Sequence, residues 1–187
     1  MSIFSHLFSA YKSNKKAAEF VFKIAAVYIG WKLFSHFFFN APVFVNFKNQ
    51  LGEATAFVAY LMLKPFFLQD VMMYPRTIML AGARGIYVAD LCLAIPSMVI
   101  FTAFITIYSG KAIHKLWFIP AGLLGIFLIN SLRIASLAYI QRYSTVEVFN
   151  FTHNYAYVVL VYSFIFLMIK LWMDKFDEAP NQEKHLL

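Results

Sequence analysis

Three residues in this chain have side chains that can do chemistry together, namely Cys92, Arg133 and His153. Cys92 is the single cysteine of the sequence, and a thiolate is a strong nucleophile. A histidine can take up or release a proton near neutral pH. An arginine stays charged, and its forked donors suit an oxyanion or a carboxylate. Together these residue types predict acyl transfer at a thiol.

Two amides accompany this set. Asn130 lies one turn before Arg133 on the same predicted helical face, where it could orient the guanidinium or donate a second hydrogen bond. Asn154 follows His153 directly and is predicted to support the site. A structural zinc site normally needs four ligands, which one cysteine and one histidine do not supply. No metal and no cofactor are therefore predicted.

An acidic residue completes the predicted site. Asp90 lies two residues before Cys92 and would share its face in a strand-like segment. The sequence leaves its partner open among Arg84, Arg133 and His153.

The composition predicts an all-α integral membrane helical bundle. Of the 187 residues, 61% are hydrophobic and only 13% are charged, which is too apolar for an ordinary soluble domain. The stretches between the apolar runs are too short for a separate soluble domain. The net charge of +7 is explained by cytoplasmic flanking lysines. There is no dense basic run, so nucleic acid is not an expected partner.

Four apolar runs are long enough to cross a bilayer. They are Ala17 to Phe39, Cys92 to Tyr108, Leu116 to Ile140, and His153 to Met173. Lysines before the first run and in the loop at 109–115 place both chain ends in the cytoplasm. The predicted layout is a cytoplasmic segment 1–16, one membrane domain 17–173 and a charged tail 174–187.

Residues 51–69 form a fifth, ambiguous stretch. Glu53, Lys64 and Pro65 lie within it, and charges inside a bilayer are costly. An amphipathic helix on the outer surface is preferred, and a fifth crossing is the alternative. Further along, two β-like pieces at 77–80 and 86–90 flank turn residues and predict a short hairpin. The alternative there is an irregular loop.

This topology brings the three reactive residues to one membrane face. Cys92 would begin one span, Arg133 would lie near the outer end of the next, and His153 would begin the last. At a helix N-terminus, the positive end of the dipole favours a thiolate and keeps a histidine uncharged and able to act as a base. Gly122 and Gly125 predict close helix approach in the middle span.

Three short motifs carry a family resemblance. They are Val88-Ala89-Asp90-Leu91-Cys92, Asn130-Ser131-Leu132-Arg133-Ile134 and Phe151-Thr152-His153-Asn154. In this order and membrane setting, over about residues 45 to 173, the chain resembles the exosortase/archaeosortase family of membrane transpeptidases. The resemblance implies Cys92 as the nucleophile, His153 as the acid/base and Arg133 as the stabiliser of the transition state.

The resemblance also implies a substrate and a location. Substrates of this family are membrane-anchored proteins with a C-terminal sorting signal, made of a short motif, a transmembrane helix and a basic cluster. The expected site faces outward from the plasma (inner) membrane of a prokaryote. One departure stands out, because Leu93-Ala94 follows the cysteine where the family commonly has a small, Gly-containing pair. The competing interpretation is a non-catalytic assembly partner or small transporter, in which Arg133 and His153 line a polar cavity.

Overall fold

The computed structural model describes residues 15–176. The predicted segments 1–16 and 174–187 therefore lie mostly outside the described residues. Within the described part, the helices are α1 (Lys15–Phe38), α2 (Pro42–Phe67), α3 (Ile95–Ile107), α4 (Ala112–Tyr143), α5 (Val146–Phe151) and α6 (Tyr157–Phe176). A 3₁₀ turn (Asp90–Cys92) precedes α3, and a π-helical segment (Thr152–Ala156) joins α5 to α6.

Three helical stretches are long and apolar enough to cross a membrane. They are Asp90–Ile107, Ala112–Tyr143 and Val146–Phe176. This confirms the predicted helical membrane bundle. Among the described helices, neither α1 nor α2 is in this set, so a crossing by α1 and the total of four spans stay predictions.

Helix α2 covers the stretch with the ambiguous assignment and begins earlier than predicted. It starts at Pro42, a position where proline is tolerated because the first helical N–H groups have no intrahelical partner. Its small buried residues, including Gly52, Ala56 and Ala59, lie on one face, and this face packs on α4 and on the strands. The helix therefore covers one side of the C-terminal half of α4.

A three-stranded antiparallel sheet lies between α2 and α3. Its strands are β1 (Val71–Tyr74), β2 (Thr77–Leu80) and β3 (Ile86–Tyr87), in the order β1-β2-β3. The predicted hairpin is present as β2 and β3, with a shorter second strand. Strand β1 was not predicted, because its residues were assigned to a polar connection. A two-residue turn joins β1 to β2, and its second residue, Arg76, has a positive φ of 55°.

Two apolar clusters hold these elements together. One joins α2, the strands and the C-terminal half of α4, and includes Ile78, Leu93 and Ile134. The other joins α3, α4 and α6 around Phe101 and Trp172. The two glycines of α4 face neighbouring rings, as predicted. A Cβ at Gly122 would collide with Phe101 of α3, and a Cβ at Gly125 would lie 2.5 Å from Phe164 of α6.

Candidate active site

Cys92 lies in the 3₁₀ turn and not at the start of a helix, so the predicted helix boundary was wrong. Its N–H donates to the carbonyl of Ala89 at 2.8 Å, and α3 begins only at Ile95. Two residues intervene. Leu93 is turned into the core with 1% exposure, and Ala94 takes a left-handed conformation with φ 55° and ψ 16°. The dipole of α3 therefore does not act on Cys92 from within the first helical turn.

Asn130 anchors the main chain of Cys92. Its Nδ2 donates to the Cys92 carbonyl oxygen at 2.6 Å. Because a carbonyl can only accept, this contact fixes the orientation of the amide, and Asn130 Oδ1 is left buried with no hydrogen-bond partner in the described part of the chain. Asn130 thus supports the site, but through Cys92 rather than through the predicted contact with Arg133.

Arg133 is held by an aromatic ring. Its guanidinium carbon lies 5.9 Å from the centre of the Tyr157 ring, a cation–π distance. Its Nε is buried without a hydrogen-bond partner, and no ion pair involves Arg133 in the described part of the chain. Its charge is therefore not neutralised by a described acidic residue.

His153 lies inside a helix and does not begin one. From sequence alone, the polar residues at 141–150 predict an outer loop. This prediction is wrong, because only Ser144 and Thr145 separate α4 from the continuous helical stretch that runs from Val146 to Phe176. The polar residues of that region end one helix and begin the next. Within that stretch, His153 occupies the π-helical segment. Such segments are often found at functional sites.

Two neighbours orient the His153 ring. It stacks on Phe149 with ring centres 5.9 Å apart and an interplanar angle of 3°. Its Nδ1 lies 3.2 Å from Asn154 Oδ1, so Asn154 contacts the His153 ring directly. When Nδ1 donates this hydrogen bond, the lone pair lies on Nε2, where the imidazole can accept a proton.

Arg133 and His153 lie at a similar depth in the bundle, and Cys92 contacts Asn130, one turn before Arg133. At about 1.5 Å per residue, Asn130 and Arg133 lie roughly 27 Å and 32 Å from the start of α4. His153 lies roughly 34 Å from the end of α6 by the same measure. The apolar core of a bilayer is about 30 Å thick. A helix that enters the bilayer at Ala112 therefore brings Arg133 to the opposite boundary.

Other residues connect Cys92, Arg133 and His153 indirectly. Cys92 and Phe149, on which His153 stacks, pack against the same apolar cluster. Arg133 reaches Tyr157, four residues after His153. No hydrogen bond joins the side chains of Cys92, Arg133 and His153 directly within residues 15–176.

Two cavities flank this region. A polar cavity of about 480 Å³ is lined by the β2–β3 loop and by the start of α5, including Arg84, Phe149 and Asn150. An apolar groove of about 530 Å³ runs between α2 and α4 and is lined by Leu132, the neighbour of Arg133, among others.

The predicted partners of Asp90 were wrong. Asp90 pairs with two cations that the sequence analysis did not single out, Lys48 at 2.8 Å and Arg76 at 2.7 Å. Arg76 also donates to Asn49 Oδ1 at 2.9 Å and twice to the carbonyl oxygen of Val88, at 3.0 and 2.6 Å. Both cations come from stretches interpreted as polar connections.

Comparison with known proteins agrees with the motifs. A family model described as transmembrane exosortase (EpsH) matches residues 11–171, which is most of the chain. The chain belongs to this family of membrane proteins, which is generally one of transpeptidases and proteases. No curated protein and no solved structure gives a match.

Proposed function

We propose that this protein is an exosortase-type cysteine transpeptidase or protease. It cleaves the C-terminal sorting signals of exported, membrane-anchored proteins at a site composed of Cys92, Arg133 and His153. One observation carries the proposal. In a chain of the transmembrane exosortase family, the only thiol is anchored through its own carbonyl to the helix turn that precedes an arginine, and this arginine has no acidic partner among residues 15–176.

The proposed reaction has two half-reactions, which are the formation of a thioester on Cys92 and its resolution. His153 takes the proton of the Cys92 thiol, and the resulting thiolate attacks the scissile carbonyl, so that a carbon–sulfur bond forms. The negative charge that develops on the oxygen is stabilised by the N–H donors of Arg133. The carbon–nitrogen bond then breaks, and His153 gives its proton to the leaving amine. The resulting thioester is resolved by an amine, or by water, with His153 now acting as the base.

The two cavities fit such a substrate. The polar cavity next to Phe149 can take the short motif that flanks the scissile bond, since its lining offers amide, hydroxyl and guanidinium groups. The apolar groove next to Leu132 can take the start of the anchor helix, since its walls are mostly aliphatic and aromatic. A substrate that lies in both would carry its scissile bond past Arg133.

The proposed orientation follows from charge and depth. With both ends and the basic 109–115 loop in the cytoplasm, the end of the bundle that contains Cys92 and His153 lies at the outer boundary of the plasma (inner) membrane of a prokaryote. The basic end of the substrate would then lie in the cytoplasm.

Cleavage in membranes tests the proposal. The protein is co-expressed with a membrane-anchored reporter that ends in a short motif, a transmembrane helix and a basic cluster, drawn from proteins of its own host. Cys92→Ala, Arg133→Ala and His153→Ala are expected to lower cleavage at least about 100-fold. The matched controls are Arg142→Ala, at the exposed end of the same helix, and His36→Ala on α1, and they should cleave normally.

The alternative makes the opposite prediction for the thiol. If the protein were a non-catalytic assembly partner or transporter, Cys92→Ala would be nearly silent while Arg133→Ala would not. Reporter cleavage that persists in Cys92→Ala refutes the proposed function.

A further inference from the structure

A buried group of charges lies beside the Cys92 turn. We call it the Arg76 cluster and define it as Lys48, Arg76 and Asp90. Lys48 is 4% exposed and Arg76 is 7% exposed, whereas the Asp90 side chain is 35% exposed. Two cations therefore share one carboxylate, and the cluster carries one excess positive charge.

Two aromatic rings and a glycine accommodate the two cations of the cluster. Lys48 Nζ lies 3.7 Å from the centre of the Phe39 ring, and the Arg76 guanidinium lies 5.2 Å from that of Tyr87. Gly52 leaves room for Arg76, since a Cβ there would lie 2.5 Å from Arg76 Nε. Burying charges is expensive, and a buried ionic network often contributes little net stability. A role beyond stability would explain the arrangement.

The contacts of the cluster converge on the segment that leads to Cys92. The Arg76 side chain donates to the Val88 carbonyl oxygen, and the Val88 N–H donates to the Arg76 carbonyl oxygen at 2.7 Å. Asp90, the first residue of the 3₁₀ turn, takes both ion pairs, and its carbonyl accepts from the N–H of Leu93 at 3.3 Å. The chain is thus held on both sides of Cys92.

Asn130 holds the same turn from the opposite side. Its hydrogen bond to the Cys92 carbonyl comes from α4, whereas Lys48 comes from α2 and Arg76 from the β1–β2 turn. Three separate elements therefore fix one short turn that has no regular helix or strand of its own to stabilise it.

We propose that Lys48 and Arg76 are positioning residues for Cys92, which act through Asp90 and the Val88 carbonyl to fix the 3₁₀ turn that carries the thiol. This rests on the proposed role of Cys92 as the nucleophile. A reaction at a carbonyl tolerates little displacement of the attacking atom, so a loosened turn lowers the rate even when the fold is intact.

The charges of the Arg76 cluster predict which substitutions in it are more damaging than others. Asp90→Asn leaves two buried cations without their anion, whereas Lys48→Met leaves a balanced pair of Arg76 and Asp90. Asp90→Asn should therefore be the more damaging change. Asp90→Asn should loosen the turn that carries Cys92. Adding Lys48→Met to it should partly restore the order of this turn, because the second substitution deletes one of the unpaired charges.

The first measurement is single-turnover cleavage of the reporter by purified protein in detergent. Asp90→Asn and Arg76→Gln are expected to lower the maximal rate at least about 10-fold while the half-saturating reporter concentration stays within about twofold. Asp70→Asn is the matched control, since Asp70 is exposed and its ion pair with Arg142 is long, at 3.4 Å. It should behave as wild type.

The second measurement needs no substrate. Because Cys92 is the only cysteine, alkylation by N-ethylmaleimide reports on this one thiol. Local loosening of the turn exposes a partly buried group, so Asp90→Asn and Arg76→Gln should react several-fold faster than Asp70→Asn in monodisperse, folded samples. A merely structural role would lower the folded fraction and leave the per-molecule cleavage rate of the remainder unchanged.

The two readouts separate the possible failures. If the wild-type protein does not cleave the reporter, but Asp90→Asn and Arg76→Gln are alkylated faster than Asp70→Asn, the proposed function is refuted and the positioning of Cys92 is supported. If folded Asp90→Asn and Arg76→Gln alkylate and cleave like Asp70→Asn, the positioning role is refuted. Failure of Lys48→Met to improve Asp90→Asn in either measurement also counts against it.

Discussion

Replacing Gly52 by alanine tests the contact between α2 and Arg76, because this contact decides whether the substitution stabilises or destabilises the protein. In the interior of an exposed helix, replacing glycine by alanine stabilises by about 1 kcal/mol. At Gly52 the added Cβ would lie 2.5 Å from Arg76 Nε and 3.1 Å from its Cδ and Cζ, so the guanidinium must move. Hydrogen bonds to charged groups contribute about 1.5–3 kcal/mol each. Losing one or two of them outweighs the helix propensity, and Gly52→Ala should destabilise by about 1–3 kcal/mol.

The assay is thermal unfolding in detergent, with a matched control in α1. Among the described residues, no atom outside the backbone of α1 lies within 4 Å of a Cβ built at Gly30, so Gly30→Ala should leave the melting temperature unchanged or raise it. In a chain of this size, 1 kcal/mol corresponds to about 2–4 °C. Gly52→Ala should therefore melt several degrees below wild type. It should also raise the alkylation rate of Cys92, because Arg76 holds the turn.

A double variant decides the cause. In an Arg76→Ala background, the side-chain atoms that would meet the new methyl group are gone, so Gly52→Ala should no longer destabilise the protein. A melting temperature of Gly52→Ala equal to or above wild type, or strictly additive effects in the double variant, would refute the reasoning.

Three further changes test other parts of the site. Ala94→Gly should raise stability by about 0.5–1 kcal/mol in thermal unfolding, because alanine is strained at φ 55°; a lower melting temperature would contradict this. Asn130→Leu should cost about 1–3 kcal/mol of unfolding free energy, because it leaves the Cys92 carbonyl without its donor, and a stability equal to wild type would count against that anchor. Tyr157→Leu should lower reporter cleavage about 3- to 30-fold, because it removes the ring from Arg133, whereas Tyr157→Phe keeps the ring and should cleave normally. Equal cleavage by the two Tyr157 variants would exclude a role for the ring.

The long helices were predictable because each has a long apolar run. Helix ends were less predictable. The polar residues after Ile140 indicate a loop, yet α4 continues to Tyr143 and the next helix begins at Val146. Strand β1 is only four residues long, and its pairing with β2 depends on the two-residue turn at Pro75 and Arg76, which single-sequence patterns do not specify.

The candidate site residues could be singled out from residue types and motifs, but the residues that support them could not. Cys92, Arg133 and His153 stand out because their chemistry is rare in apolar helices. Lys48 and Arg76 contact Asp90 across 42 and 14 residues of sequence, and no periodicity connects them. The one usable signal was Asp90 itself, since a carboxylate beside an apolar run needs a cation.

The departure from the family pattern at Leu93-Ala94 now has a structural description. Ala94 is the residue that takes the left-handed conformation between the 3₁₀ turn and α3, a conformation that glycine adopts without strain. Leu93 occupies the core. The glycine common in the family would thus fit the backbone at this position, and the alanine here makes the turn more strained.

A covalent adduct on Cys92 is the most direct test of the central claim. The protein carrying His153→Ala is isolated from membranes that contain the reporter, and the peptide that includes Cys92 is analysed by mass spectrometry. The wild-type protein is analysed in the same way, because loss of His153 slows both formation and resolution of the thioester. We expect a mass increase on Cys92 in at least one of the two forms, equal to the acyl fragment of the reporter and sensitive to hydroxylamine. Reporter that is cleaved by the wild-type protein while Cys92 never carries such an adduct, in either form, would contradict it.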